Sequence, residues 1–546
     1  MTLRLSKLSL AIALGVSTLS LSALAAQVPA GTELADKQEL IYNNSSEPAS
    51  LDPAKIQGDV EGNVTHQLYE GLVTSDNDGK ILPGVAKSWE HSDDYKTWTF
   101  HLRDNAKWSN GDPVTAQDFV YSWQRLTDPK TASPYQTFLE FASVKNVKDV
   151  ITGKKPPSEL GLKALDDHTF VMELDAPVPY IDKLVEHYAL LPVNKNVVEK
   201  YGDQWTKVGH LVGNGAFKLD DHRVNEKIVL VRNPHYWDNE HTVLNKVTYL
   251  PIVEASTDVN RYRAGEVDIT GKSLPPEMFQ KLKKELPDEL LVSPILCTYN
   301  FEFNTKKAPF DDARVRRALA MSLDRNIITD KVLAQGQKPA YVFTPPAVLG
   351  SDGIKDPEWA SWSQDKRNEE AQKLLAEAGF TKDKPLNFSL LYNTDENHKK
   401  VAIAANSIWK KNLNGAVNMK LENQEWKTYI DTRHSANFDV ARAGWCADYN
   451  EPTTFLNYYL SNFTANTAFY NNPEYDKLMA DAKVNATDEG RAEDYGKAEA
   501  LLNQDMPAIN VYHYVQPRLV KSYVKGFAAD NPTQAYYMKD VYIIKH

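Results

Sequence analysis

Leu386-Asn387-Phe388-Ser389-Leu390-Leu391-Tyr392, the run from Lys399 to Leu413, and Val417-Asn418-Met419-Lys420-Leu421 together decide the architecture. The first and last segments read as short strands. The middle one places Val401, Ala404, Ala405, Ile408 and Trp409 on one helical stripe and stops at Asn414-Gly415. A strand, a helix and a strand at this spacing imply a right-handed parallel crossover. This half of the chain is α/β.

Working outward, a helix is expected from Arg367 to Ala378, stopped by Gly379, and another from Tyr475 to Ala482. Towards the N-terminus the pattern changes. Thr97-Trp98-Thr99-Phe100-His101-Leu102 alternates as a half-buried strand, and Asn110-Gly111 marks a turn. Thr115 caps a helix through Trp123, with Asp118 three residues on. Ile228 to Val231 is a strand ended by Asn233-Pro234. This half is α+β, so the whole chain is a mixture of α/β and α+β.

Ligands of open α/β sheets collect beyond the carboxyl ends of the strands. Two loops occupy that place: Asn393 to His398, and Trp445-Cys446-Ala447-Asp448-Tyr449-Asn450 after a strand from Phe438 to Gly444. Read singly, Asp448 caps a turn before Asn450-Glu451-Pro452, Arg442 is an internal salt-bridge partner, Trp445 is core and His398 is a surface residue at a helix start. Their convergence on one predicted edge favours recognition instead.

The N-terminus carries Arg4 and Lys7, an apolar run from Leu8 to Leu24 and small residues at Ala23 and Ala25. That is the pattern of a cleaved signal peptide, residues 1–25, with a mature chain from Ala26 that is free in the periplasm. Cleavage removes two positive charges and no negative ones, which moves the formal charge from −11 to −13. Phosphate neutralisation needs the opposite sign, so no nucleic-acid partner is expected. No later segment offers the roughly 18 apolar residues of a spanning helix, so the mature chain is not membrane-inserted. Its length exceeds the roughly 50–250 residues of one domain, and no repeat or long linker divides it, so two or three lobes joined by short crossing strands are expected. An even pair of cysteines in an exported chain, Cys297 and Cys446, favours a bridge that closes a loop of about 150 residues.

Catalytic machinery is not expected. The chain has no His-Glu-x-x-His site, no Gly-x-Ser-x-Gly elbow and no P-loop. Its thirteen histidines show no metal spacing, and pairs such as Asp93-Asp94 or Asp311-Asp312 read as solvated turns. No cofactor or metal is implied, and an exported peptidase or glycosidase is the weaker reading.

Several short motifs occur in order along the chain: Ser50-Leu51-Asp52-Pro53, Tyr69-Glu70-Gly71-Leu72, Pro83-Gly84-Val85-Ala86 with Trp89, Trp98-Thr99-Phe100, and Lys107 to Gly111. Asp118 to Trp123, Gly213-Asn214-Gly215-Ala216, Asn233-Pro234-x-Tyr236-Trp237, and Val315 to Leu319 before Asp324-Arg325 continue the series. With them the sequence resembles the solute-binding proteins of oligopeptide ABC importers, extracellular solute-binding protein family 5, over essentially the whole mature chain.

The resemblance implies a type II periplasmic-binding-protein-like clamp of three lobes with the ligand site between them. Lobe I would comprise residues 26–69, 195–296 and 516–546, lobe II residues 70–194, and lobe III residues 297–515. It also implies a monomer that captures short oligopeptides and delivers them to an inner-membrane ABC permease. A murein-peptide or other small-peptide binder with the same clamp is the alternative. Carried onto this chain, Asp448 pairs with the peptide's α-amino group, and the backbones of Gly444 and Cys446 bond to its main chain. Arg433, Arg442 and His398 lie near its carboxyl end or line side-chain pockets, while Trp426, Trp445, Tyr135 and Tyr514 form pocket walls. Cys297 and Cys446 match the family's disulfide. Three positions depart from the pattern: Gln57 stands in place of a glutamate that assists binding, Asp59 in place of an apolar residue, and Leu333 in place of a lysine.

Overall fold

In the computed structural model the described residues are 28–546, except 57, 77–78, 464, 486 and 528–530 and the side chains of 426 and 427. The expected signal peptide and its cleavage before Ala26 lie outside them, as does Gln57. Among the described residues no helix is long and apolar enough to cross a membrane.

The crossover read from sequence forms one side of a six-stranded sheet. Strand Leu386–Asn393 pairs in parallel with Val417–Gln424, from Leu386 opposite Val417 to Asn393 opposite Gln424. The helix between them, Glu396–Asn412, buries Val401, Ala402, Ala405, Ile408 and Trp409 against the sheet. It starts three residues before Lys399, because the Asp395 side chain accepts the His398 N–H at 2.9 Å and draws the first turn forward. His398 is therefore a helical residue and not part of a loop. Asn414 and Gly415 both take positive φ, 50° and 79°, and end the helix. Ser363 and Asn472 likewise cap the helices Gln364–Glu377 and Pro473–Val484 slightly ahead of the expected starts.

The other four strands of that sheet are antiparallel to one another, and the last of them meets Leu386–Asn393 in parallel. The sheet's order runs from Lys338–Pro339 through Ala508–Leu519, Leu290–Phe303 and Val440–Cys446 to the parallel pair. The strand expected from Phe438 to Gly444 instead spans Val440–Cys446, because its ladder with Leu290–Phe303 continues to Cys446. Trp445 and Cys446 thus belong to a strand, and the loop starts at Ala447.

Besides two two-stranded ribbons, the described residues form two four-stranded sheets that complete the framework. One has the order Glu39–Asn43, Lys246–Leu250, Lys227–Arg232, Phe217–Arg223, and its first pair is parallel. The other is antiparallel: Ala86–His91, Thr97–Leu102, Thr169–Glu173, Leu162–Asp166. In the last sheet Trp98, Phe100 and Leu102 alternate inward as expected and pack with Phe119, Trp123 and Phe170 of a separate core. Thr115 and Asp118 form the expected capping box beside it. The first small sheet has its own core around Tyr42, Leu230 and Val247, and the six-stranded sheet another around Phe301, Leu390 and Trp409.

The body of the six-stranded sheet and that of the first small sheet are not joined by short crossing strands. The connection is a pair of long antiparallel strands, Leu290–Phe303 of 14 residues and Ala508–Leu519 of 12. Beyond the main sheet their far ends meet the first small sheet, where Leu519 and Thr270 exchange hydrogen bonds of 3.0 and 2.8 Å. The ladder between the two strands shifts register between Pro294 and Thr298, and Pro294 and Pro517 have no N–H to give there. Length carries the chain between bodies, and the proline-interrupted segment is where the ladder is weakest.

Candidate functional site

The main cavity, about 760 Å³, lies where the three bodies face one another. Small-ligand sites are roughly 300–1,000 Å³. Cys446, Asp448 and Tyr514 line it from the body of the six-stranded sheet, Tyr135 and Glu186 from the antiparallel body, and Asp59 and Lys272 from the remaining one.

The strand carrying Cys446 offers an open edge to this space. Ala447 donates its N–H to the Leu296 carbonyl at 2.8 Å, and at the other end of the ladder Asn304 donates to the Asp439 carbonyl at 3.0 Å. Antiparallel ladders alternate between hydrogen-bonded and non-hydrogen-bonded pairs. In the observed register, Arg442, Gly444 and Cys446 are therefore in non-bonded pairs, and their N–H and C=O groups point away from Leu290–Phe303. The parallel neighbour covers only Val440 and Ala441. Gly444 and Cys446 are exposed and present main-chain donors and acceptors to an incoming strand. Cys446 is bonded to Cys297, which braces this edge. Their Cα atoms are 4.1 Å apart, in keeping with the closer of the two pair types.

Beyond the edge lies Asp448. Its backbone N–H is held by Thr454 Oγ1 at 3.0 Å, which leaves the carboxylate for the cavity. Burial pushes this carboxyl up to about 6, and no described cation pairs with it. Among the described residues the site presents a negative charge without a counter-ion.

At the other end of the edge, Arg442 lies behind Tyr514 and has no described carboxylate partner. Its Nη2 donates to Tyr514 Oη at 2.9 Å, its guanidinium lies 5.0 Å from the Tyr299 ring centre, and its buried Nε has no partner among the described residues. His398 packs nearby, 5.5 Å from the Tyr299 ring, and burial followed by the Arg442 charge lowers it to about 4. It is a neutral imidazole at pH 7.

Arg433 is placed differently. Its Nη2 bonds to Glu302 Oε2 and Thr467 Oγ1, both at 2.6 Å, with Glu302 fully buried. It does not line the cavity. Trp445 faces the opposite side of its strand from Gly444 and Cys446, donates Nε1–H to the Thr454 carbonyl at 2.7 Å and packs on Tyr458, so it braces the Asp448 loop from behind. Tyr135 lines the cavity and accepts the Tyr188 hydroxyl at 2.9 Å; burial, then the nearby Asp448 charge, raises its own hydroxyl. The side chain of Trp426 lies outside the described residues. Leu333 is buried in the core of the six-stranded body.

Sequence reasoning passed over Tyr299, Lys272, Glu186, His66 and His187. Lys272 is held by Asp59 at 2.6 and 2.8 Å, a pair 213 residues apart that local pattern does not announce. Glu302 was legible in principle, since an acid inside the apolar alternation Tyr299 to Phe303 demands a buried partner.

Comparisons with known proteins show the family to which the chain belongs. The family described as bacterial extracellular solute-binding proteins, family 5 (middle region), matches residues 80–467. The chain is 59% identical over 538 residues to the periplasmic oligopeptide-binding protein OppA of Salmonella typhimurium, covering 98% of each. An unliganded, open form of MppA, a periplasmic murein tripeptide binding protein, superposes with a TM-score of 0.88 at 49% identity, over 95% of this chain and 99% of that one. Haemophilus influenzae OppA in complex with RPPGFSPFR is more similar in sequence, 56%, yet superposes with a TM-score of only 0.76, over 94% and 100%. As a whole, the chain superposes better on the open, unliganded relative than on the peptide complex.

Proposed function

Starting from the fact that the chain belongs to the bacterial extracellular solute-binding proteins of family 5, we propose that Asp448 and the Gly444–Cys446 edge are the parts of it that grip a peptide. The protein is a periplasmic peptide-binding component of an ABC importer. An extended peptide adds as a strand along the free edge, so that affinity comes from main-chain bonds common to all sequences. Its ammonium meets Asp448 and its carboxylate lies towards Arg442, which makes it antiparallel to Val440–Cys446. At about 3.3 Å per residue, the six steps along the chain from Arg442 to Asp448 span at most ~20 Å, which suits peptides of up to about six residues.

The unpaired Asp448 carboxylate carries this reading. A largely buried anion with no described counter-ion is complete only when a cation arrives, and the one cation every unblocked peptide brings is its N-terminus. The lobes are taken as residues 26–69 with 195–296 and 516–546, as 70–194, and as 297–515; the separate hydrophobic cores support this division. Closure of these lobes over the peptide gives a monomeric protein a bound state that an inner-membrane permease can tell from the empty one. Signal-peptide cleavage before Ala26 supplies the mature form. Membership of a family of solute-binding proteins supports a role in which the protein binds its cargo and leaves it uncut.

Titration calorimetry of tri-alanine and N-acetyl-tri-alanine, with the wild type and Asp448→Asn, tests the reading. The expected result is a loss of about 3 kcal/mol or more on removing either charge. Equal affinities for free and acetylated peptide would remove Asp448 from this role.

A further inference from the structure

The cleft holds a second buried carboxylate for which the main-chain grip has no use. Glu186 lies just after the short helix Ile181–Leu184, on a different body from Asp448, and lines the same cavity. It is 8% exposed. Its hydrogen-bond partners are neutral: the Tyr537 hydroxyl donates at 3.4 Å, and the Ser75 hydroxyl also contributes. No described cation pairs with it, and the charge that acts on it is that of another acid, Asp76. Burial, with Asp76 adding to it, pushes Glu186 up to about 7.

The surroundings narrow what could satisfy it. His66 and His187 line the same cavity and are held neutral, lowered by burial to about 4 and about 3, so neither supplies a positive charge at pH 7. Lys183 also lines the cavity but forms no ion pair with Glu186, and Lys272 is engaged by Asp59. The position along the cleft can also be traced. Asn531 bonds to the Asp76 carbonyl at 3.2 Å and to Ser75, while Asn450 bonds to the Gly79 carbonyl at 3.4 Å. The loop that reaches Glu186 through Ser75 is thus fastened two residues from Asp448.

We propose that Glu186 is a receptor for a basic side chain, lysine or arginine, near the amino-terminal end of the bound peptide. This rests on the peptide-binding reading above and adds a selectivity to it. The main-chain edge and Asp448 treat all unblocked peptides alike, whereas Glu186 rewards those that bring a second cation to a site with the cavity volume to admit it. A neutral isostere of the same length fills the space and leaves the carboxylate unpaired.

Titration calorimetry at pH 7.5 with the full mature chain tests this, using tri-alanine in which each position in turn is replaced by lysine or by norleucine. At one of the first two positions the wild type should bind the lysine peptide roughly tenfold more tightly than the norleucine peptide. The ratio should fall to about one in Glu186→Gln. A ratio of one at both of those positions in the wild type, or a lysine preference that survives in Glu186→Gln, overturns the assignment. Should that variant not fold, the wild type suffices. Acidification from pH 7.5 to 5.5 protonates Glu186 and draws the ratio towards one, while Asp448, shared by both peptides, cancels; a ratio that stays high is the contrary result. Failure of every tripeptide to bind the wild type overturns the peptide reading itself, and this assignment with it.

Discussion

The Ala447 N–H donates to the Leu296 carbonyl at 2.8 Å, one pair beyond the Cys297–Cys446 bridge. That bond sets the phase of the ladder. With Ala447 turned inward, Cys446 and Gly444 must turn their main-chain groups outward, on a stretch that no described strand covers. An open edge follows from one hydrogen bond and a period of two.

If that edge binds peptide main chain, a ligand in which one amide is replaced by an ester loses a donor without losing shape. Each substitution at a paired position should cost about 1 kcal/mol, roughly fivefold in affinity. Positions facing away should change little. Calorimetry of a depsipeptide series shows the alternation, and a uniform response along the peptide is the contrary outcome.

The pH dependence of binding has a fixed sign. Asp448 must be ionised to pair with an ammonium, and burial pushes it up to about 6 in the free protein. Affinity for neutral-side-chain peptides should therefore fall up to about tenfold per unit below pH ~6. The stability of the free protein moves the other way. A carboxyl raised above its unfolded value opposes folding once ionised, so stability is gained as pH drops from about 6 towards 4, by up to about 3 kcal/mol. Asp448→Asn should remove that component from urea titrations of the unliganded protein.

Arg433 should act on stability and not on the first contact with peptide. Arg433→Met leaves Glu302, fully buried, without its cation, at a cost of about 3–5 kcal/mol. Adding Glu302→Gln should restore much of this. Urea denaturation of the single and double variants checks the prediction, and an undiminished midpoint in the single variant contradicts it.

The disulfide closes a loop with a sequence separation of 149 residues. In the chain-entropy account its removal in Cys297→Ser/Cys446→Ser costs up to about 5 kcal/mol. Peptide affinity should fall as well, because Cys446 lies on the edge. Thermal unfolding and calorimetry of the double variant read the two effects separately.

Much of the fold was written in short-range pattern. The crossover from Leu386 to Leu421, the capping box at Thr115 and Asp118, and the alternation of Trp98, Phe100 and Leu102 all appear where the sequence places them. Each depends only on side chains within a few residues. Errors of two or three residues arose where a cap or ladder reached past the apolar pattern, as Asp395 does for its helix and as Leu290–Phe303 does for Cys446.

The sequence by itself determined the elements, the export pattern and the pair of cysteines. Only the tertiary structure decided which charges were left over. Arg433 and Asp448 both read as a charge near one edge, yet Glu302, 131 residues from Arg433, claims the first, while no described cation reaches the second. Burial and pairing depend on what packs alongside from distant parts of the chain, and the free energy of a buried charge is set by that neighbour and hardly at all by the residues before and after it.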